Sequence, residues 1–272
     1  MNAELIEAVR SRRTLLFVGA GVSRCLGLPD FAQLVSYVAE DLGYDAELFA
    51  THGDYLALAE YYVLEKGAIA PLQRWMERTW HAKTIDIRSS RIHDAIVDLD
   101  FPVIYTTNYD QWLERAHAAR GKPYIKIANV GDIAKGHGNT TQIVKFHGDV
   151  EDQSSIVLSE SSYFSRMDFE SPLDIKLRAD LLGRSVLYIG YSLSDINMRY
   201  MLYRLNRQWT SVGSEEARPK SYIFLTRPNP VQQRVLESRN IQPIVSDRDD
   251  PKEGLAEFLT SLLPAAATSI ET

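Results

Sequence analysis

An open, doubly wound, mostly parallel α/β sheet carrying a helical insertion is the fold this sequence predicts. Three observations predict it. Short apolar runs alternate with segments of helical periodicity, as βαβ units require. Several of those runs end in glycine, as a buried parallel strand does where the chain turns sharply. A long stretch from about Phe31 to Asp98 has helical spacing throughout, too long for a simple crossover and suited to an insertion.

The first strand is Thr14 to Val18 (TLLFV), which runs into Gly19. Pro29-Asp30 then punctuates the chain, and a helix opens at Phe31. Leu34, Val38 and Leu42 recur at helical spacing, followed by Tyr55, Leu58, Ala59 and Tyr62, then Leu72, Trp75 and Met76. Strand signals resume at Pro102 to Thr106, with a weaker one at Tyr124 to Ala128 and a clear one at Gln142 to Phe146. Ser185 to Ile189 ends at Gly190, and Ser221 to Leu225 and Ile241 to Val245 come last. Helices are expected at Gln111 to Ala116, Ile196 to Arg207 and Pro230 to Arg239. The expected organisation is a single domain over 1–272. Its Rossmann-like core spans 1–35 and 98–263, its insertion 36–97, and an Ala/Ser/Thr-rich tail, 264–272, is expected to fray.

Composition bounds the function mildly. Of 272 residues, 45% are apolar and 24% charged, an ordinary globular balance. The formal charge of −6 argues against a broad basic face, so no direct nucleic-acid binding is expected. No stretch approaches the ~20 apolar residues of a membrane span. Glu4, Glu7 and Arg10 interrupt any signal-like region, so the expected location is cytoplasmic, with no membrane partner. One cysteine, Cys25, cannot build a disulfide or a cysteine-rich zinc site, and reads as a small filler in a tight turn. No histidine has metal-ligand spacing with another His or Cys, so no metal is expected.

Four elements carry chemistry, each just after a strand, where open α/β sheets bind ligands. Gly19-Ala20-Gly21 could bring backbone N–H groups close to a pyrophosphate, with Ser23 adding a hydroxyl; a plain strand-to-helix corner is the alternative. In Thr107-Asn108-Tyr109-Asp110, an amide two residues from a carboxylate suits ribose hydroxyls and a carboxamide, although the same pair could form an Asx-turn. His147-Gly148 ends a strand with an imidazole whose ordinary pKa suits acid–base work. Gly190-Tyr191-Ser192 could seat an adenosine ribose or phosphate, with Ser194 or Asp195 capping the next helix.

In order and spacing these elements resemble the sirtuin family over nearly the whole chain. Gly19 to Ser23, continuing through Gly27-Leu28-Pro29-Asp30-Phe31, is similar to the sirtuin cofactor-binding loop. Thr107 to Asp110 resembles the Gln-Asn-Ile-Asp element, His147-Gly148 the catalytic His-Gly, and Gly190-Tyr191-Ser192 the Gly-Thr-Ser loop. The resemblance implies NAD as substrate. Gly19, Ala20, Gly21 and Ser23 would carry the pyrophosphate, and Asp30, Phe31, Thr107 and Gly190 would complete the wall. Ser192 would lie on the adenosine side, Asp110 would hold the carboxamide, Asn108 would orient ribose and water, and His147 would accept a proton.

The departures are as informative. The four zinc cysteines of sirtuin deacylases are missing, Ala32 stands where they carry Arg, and Thr107 where they carry Gln. Lys145 to Asp149, Ser155 to Leu158 and Tyr163 resemble instead the bacterial sirtuin-like domains of anti-phage defence. That likeness implies an NAD glycohydrolase releasing nicotinamide and ADP-ribose in abortive infection. It also implies a homo-oligomer partnered by a HerA-like DNA-translocating ATPase. An NAD or ADP-ribose sensor without turnover and a zinc-free deacylase are the rival readings.

Overall fold

The computed structural model describes residues 3–264 apart from 137, 169, 192, 194 and 214. In chain order the elements are α1 (Ala3–Arg10), β1 (Thr14–Val18), α2 (Ala20–Arg24), α3 (Phe31–Leu42), α4 (Ala46–Ala50), α5 (Tyr55–Lys66) and α6 (Ala70–Trp80). Then come α7 (Arg91–Asp98), β2 (Val103–Thr106), α8 (Trp112–Ala119), β3 (Tyr124–Ile127), α9 (Val130–Ile133), β4 (Thr141–Lys145), α10 (Glu160–Phe164) and α11 (Pro172–Gly183). The last are β5 (Ser185–Ile189), α12 (Ile196–Val212), β6 (Ser221–Leu225), α13 (Pro230–Glu237), β7 (Ile241–Val245) and α14 (Pro251–Leu262).

The strands form one seven-stranded sheet in the order β3-β4-β2-β1-β5-β6-β7. Every strand pairing is parallel, with Leu16 opposite Ile104 on one side and Leu187 on the other. The sheet is thus fully parallel among the described residues. β1 is central: the chain builds outward on one side as β2, β4 and β3, then returns to the other as β5. Such a reversal opens a crevice at the strands' carboxyl ends.

Two-residue alternation along β1 divides the core. Leu16 and Val18 pack on one face with Leu5 and Val9 of α1, Ile92 and Ile96 of α7, and Leu255 and Leu259 of α14. Leu15 and Phe17 pack on the other with Leu177 of α11, Met198 and Met201 of α12, and Leu236 of α13. A third cluster gathers α3, α5 and α6 around Tyr62, Leu72 and Met76, and receives Tyr109, Trp112 and Val150 from the sheet side. These helices begin where local chemistry sets them. Asp30 and Gln33 form a reciprocal capping box at α3, and Asp54 caps α5.

The boundaries differ in detail from the expected ones. α3 is continuous from Phe31 to Leu42, so a division at 35/36 falls inside it. α7, expected within the insertion, packs into the first face of the sheet core because its apolar stripe faces α1 and α14. α12 runs five residues past the expected Arg207, to Val212. The Gly19 turn enters a short helix, α2, at once, and α1 and α11 are helices the sequence pattern left unassigned. The expected tail beyond 264 lies outside the described residues.

Candidate functional site

A cavity of about 1040 Å³ opens at the carboxyl ends of the central strands. Ala20, Gly21 and Ser23 reach it after β1, Thr107, Asn108 and Asp110 after β2, His147 after β4, and Gly190 after β5. Asp30 and Phe31 complete one wall. These four strands are immediate neighbours in the sheet, so elements far apart in sequence share one rim. Gly19 does not itself line the cavity, and Ser192 lies outside the described residues.

The glycines allow two loops to touch. Gly21 N–H donates to the Gly190 carbonyl at 2.9 Å, and a side chain at Gly19 would place its Cβ 2.4 Å from that oxygen. Gly19, Gly21 and Gly190 therefore form the corner between the β1 and β5 loops, and the backbone N–H groups of both Gly19 and Gly21 in the expected phosphate turn are already used inside the protein. Cys25 is half-buried, its Sγ 3.3 Å from the Gly21 carbonyl, and burial raises its thiol pKa.

Ser23 joins the amide and the carboxylate. Its Oγ donates to Asp110 Oδ2 at 2.6 Å and accepts from Asn108 Nδ2 at 2.9 Å, with all three side chains buried. The hydroxyl expected to face a phosphate is thus committed to Asp110. Asp110 also accepts Trp112 N–H at 3.1 Å, the Asx-turn contact, while its side chain lines the cavity. Thr106 Oγ1 fixes the loop base by donating to the Val18 carbonyl and accepting Asn108 N–H. Asp30 holds α3 through its capping box, and Phe31 lies against Tyr55 with ring centroids 5.0 Å apart.

His147 departs most from expectation. Although it stands at a strand end beside a glycine, His147 is only 2% exposed. Gly148, at φ +97°, turns the chain back past the His147 backbone, where Val157 N–H donates to the His147 carbonyl at 2.8 Å; the ring itself lies against Phe146 and Tyr163, with centroids 5.6 and 5.1 Å away. Nδ1 lies 3.2 Å from the Tyr163 hydroxyl, and Nε2 lies 3.3 Å from Asp195 Oδ2 without the alignment of a hydrogen bond. Burial pushes the imidazole pKa down to about 4, helped by Arg166 and opposed by Asp195 and Asp174. The ring is neutral at pH 7 and so retains one lone pair for a proton.

Lys145, one residue beyond the Ile143-Val144 core of its strand, is buried behind this rim. Its Nζ donates to the Asp110 carbonyl and lies 3.6 Å from Glu114 and 3.9 Å from Asp149. Burial raises the pKa of Glu114, partly offset by Lys145. Tyr163, Asp195 and Lys145 are site partners that the motif reading did not assign. Asp195 was visible only as a helix cap, which it is, accepting Met198 N–H at 3.0 Å. Ser194, the other expected cap, lies outside the described residues. Arg24, Arg227 and Lys252 also line the cavity, the latter two beyond the ends of β6 and β7. Among the described residues no group of three or more His, Cys, Asp or Glu could hold a metal ion, and no helix is long and apolar enough to cross a membrane.

Fold and cavity together are those of a doubly wound α/β domain with its ligand crevice at the strand ends. The chain belongs to the SIR2-like domain family, whose profile matches residues 102–244. It is 29% identical over 281 residues to "NAD(+) hydrolase ThsA" of Cytobacillus dafuensis, covering 96% of this chain and 54% of that protein. It is 30% identical to the protein of the same name from Enterococcus faecium, covering 72% of this chain and 40% of that one. "Defense-associated sirtuin 2" of Bacillus subtilis is 27% identical over 86% of this chain and 23% of its own length. The chain spans about half the length, or less, of the curated relatives it matches. A solved Sir2 enzyme aligns over 96% of this chain and 98% of its own at 13% identity, with a TM-score of 0.43, too low to carry an argument.

Proposed function

We propose that this chain cleaves the nicotinamide–ribose bond of NAD+ with water, releasing nicotinamide and ADP-ribose. The observation that carries the reading is the convergence of Asn108, Asp110 and His147, with the Gly19–Ser23 turn, around one cavity at the topological reversal of the sheet. Relatives named NAD(+) hydrolase match most of this chain and support the same chemistry.

Nicotinamide leaves as a neutral molecule, so the site needs no acid for the leaving group. It must hold the ribose, seat the carboxamide, stabilise positive charge at C1′ and remove a proton from water. Asp110 seats the carboxamide and places negative charge beside the developing cation. Asn108, its amide nitrogen held by Ser23, directs its carbonyl oxygen to the ribose or the water. His147, neutral at working pH, is the proton acceptor. Ala20 and Gly21 of the turn, with Arg24, take the pyrophosphate, and Ser192 and Gly190 border the adenosine side.

In the cell the reaction depletes NAD during phage attack, as an abortive-infection response in the cytoplasm. Control comes from assembly, as a homo-oligomer bound to a HerA-like ATPase. The test is nicotinamide release from NAD+ alone, from NAD+ with an acyl-peptide, and from NAD+ with the co-purified assembly. Release without acyl-peptide is the expected result, and Asn108→Ala and His147→Ala abolish it while leaving the melting transition in place. Binding without release in every arm replaces the hydrolase with a sensor; release only with acyl-peptide replaces it with a deacylase.

A further inference from the structure

Tyr163 and Asp195 bracket His147 from two elements. The Tyr163 hydroxyl is 3.2 Å from Nδ1 and 3.4 Å from Asp195 Oδ2, and Asp195 Oδ2 is 3.3 Å from Nε2. All three side chains line the same cavity. A carboxylate beside Nε2 favours a proton on that nitrogen, because a lone pair there would face negative charge. Nδ1 then holds the lone pair, and the Tyr163 hydroxyl donates to it. The other charges near the ring cancel: Arg166 is 2.5 Å from Asp174 on α11 and donates to the Phe146 carbonyl. Asp195 is left as the carboxylate that answers a charge on His147.

We propose that Tyr163, His147 and Asp195 form one proton relay in which the Tyr163 hydroxyl, at the cavity wall, meets the attacking water and passes its proton inward. The relay rests on the hydrolase reading of this site. In the step, the water oxygen bonds to C1′ as the C1′–nicotinamide bond breaks, and nicotinamide leaves with that electron pair. The water proton moves to Tyr163 oxygen, and the proton Tyr163 held moves to His147 Nδ1. An imidazolium on the Asp195 carboxylate remains, and it resets by returning its proton through Tyr163 to solvent. His147 can thus be almost fully buried and still act. Tyr163 is the group that touches the water, and Asp195 is a positioning residue.

Tyr163→Phe removes one oxygen and keeps the ring, whereas Asp195→Asn keeps an N-capping side chain for α12 and removes the charge. Each variant is compared with the wild type for kcat and KM on NAD+ from pH 3.5 to 9. The His147 ring tautomer is read separately by ¹⁵N NMR without NAD+. The expected results are an Nε2–H ring in the wild type and a kcat about 10²-fold lower in Tyr163→Phe with KM little changed. In Asp195→Asn the acidic limb of kcat moves to lower pH and the ring becomes a tautomer mixture. A wild-type ring carrying its proton on Nδ1, or folded variants with wild-type kcat and pH limb, overturns the relay. A wild type that releases no nicotinamide overturns the hydrolase reading instead, and the ring tautomer then decides the proton arrangement by itself.

Discussion

Ser23 shows how one hydroxyl can organise a site. It donates to Asp110 and accepts from Asn108, so the carboxylate and the amide keep a fixed spacing without touching substrate through Ser23 itself. Removing that hydroxyl leaves a buried amide nitrogen and a buried carboxylate oxygen each short of a partner. Such losses cost about 1–3 kcal/mol each when no water replaces the bond. Ser23→Ala is therefore expected to lower unfolding free energy in urea by about 2–6 kcal/mol. Turnover is expected to fall further, by about 10²-fold, because a misplaced group near the reacting centre costs that much. A variant that loses stability while keeping wild-type kcat would show that Ser23 is structural only.

At the scale of elements, the β1 and β5 loops are locked by backbone contact. Gly190 has φ +58°, and an added Cβ would lie 2.6 Å from the backbone nitrogen of Val22. Gly190→Ala is thus expected to separate the two loops and to destabilise the protein, whereas Gly183→Ala, near the end of α11, meets no atom within 4 Å. The second change is expected to be neutral or stabilising by about 0.4–1 kcal/mol, since alanine loses less backbone entropy on folding. Paired urea melts of the two variants check the contrast. Strand ends were legible in the sequence because buried apolar runs stop at Gly19, Gly190 or a polar loop, and parallel strands must read that way. The members of the rim were legible for the same reason. Tyr163 and Asp195 were not, because nothing local distinguishes a tyrosine that meets a histidine from one that packs, or a helix cap that also meets an imidazole. Strand order and the place of α7 were also beyond reach, since both depend on which faces meet in three dimensions. The buried ring of His147 belongs with them, since Tyr163 and Asp195 reach it from other elements.

For the whole molecule, the buried histidines couple stability to pH. Burial lowers the pKa of His93 and of His147 to about 4, and lowers those of His81 and His117 as well. The unfolded chain protonates each near its ordinary pKa of about 6.5. Between that value and about 4 the unfolded state binds more protons than the folded state, so stability rises with pH across the window and is lost on acidification through it. For His93 and His147 the loss is about 3 kcal/mol each, a large part of the stability of an ordinary domain. Glu114 opposes this weakly, because its raised pKa lets the folded state take up a proton in acid. Urea unfolding at steps from pH 7.5 to 4.5 is expected to show the midpoint falling steeply below about 6.5. The His93 ring bonds Ser90 and lies outside the cavity, so its replacement isolates the effect from chemistry. His93→Gln is expected to lower stability at pH 7.5 yet flatten the acid slope by close to one proton. An unchanged slope would place His93 in a charged or solvated state in the folded protein, contrary to its near-complete burial.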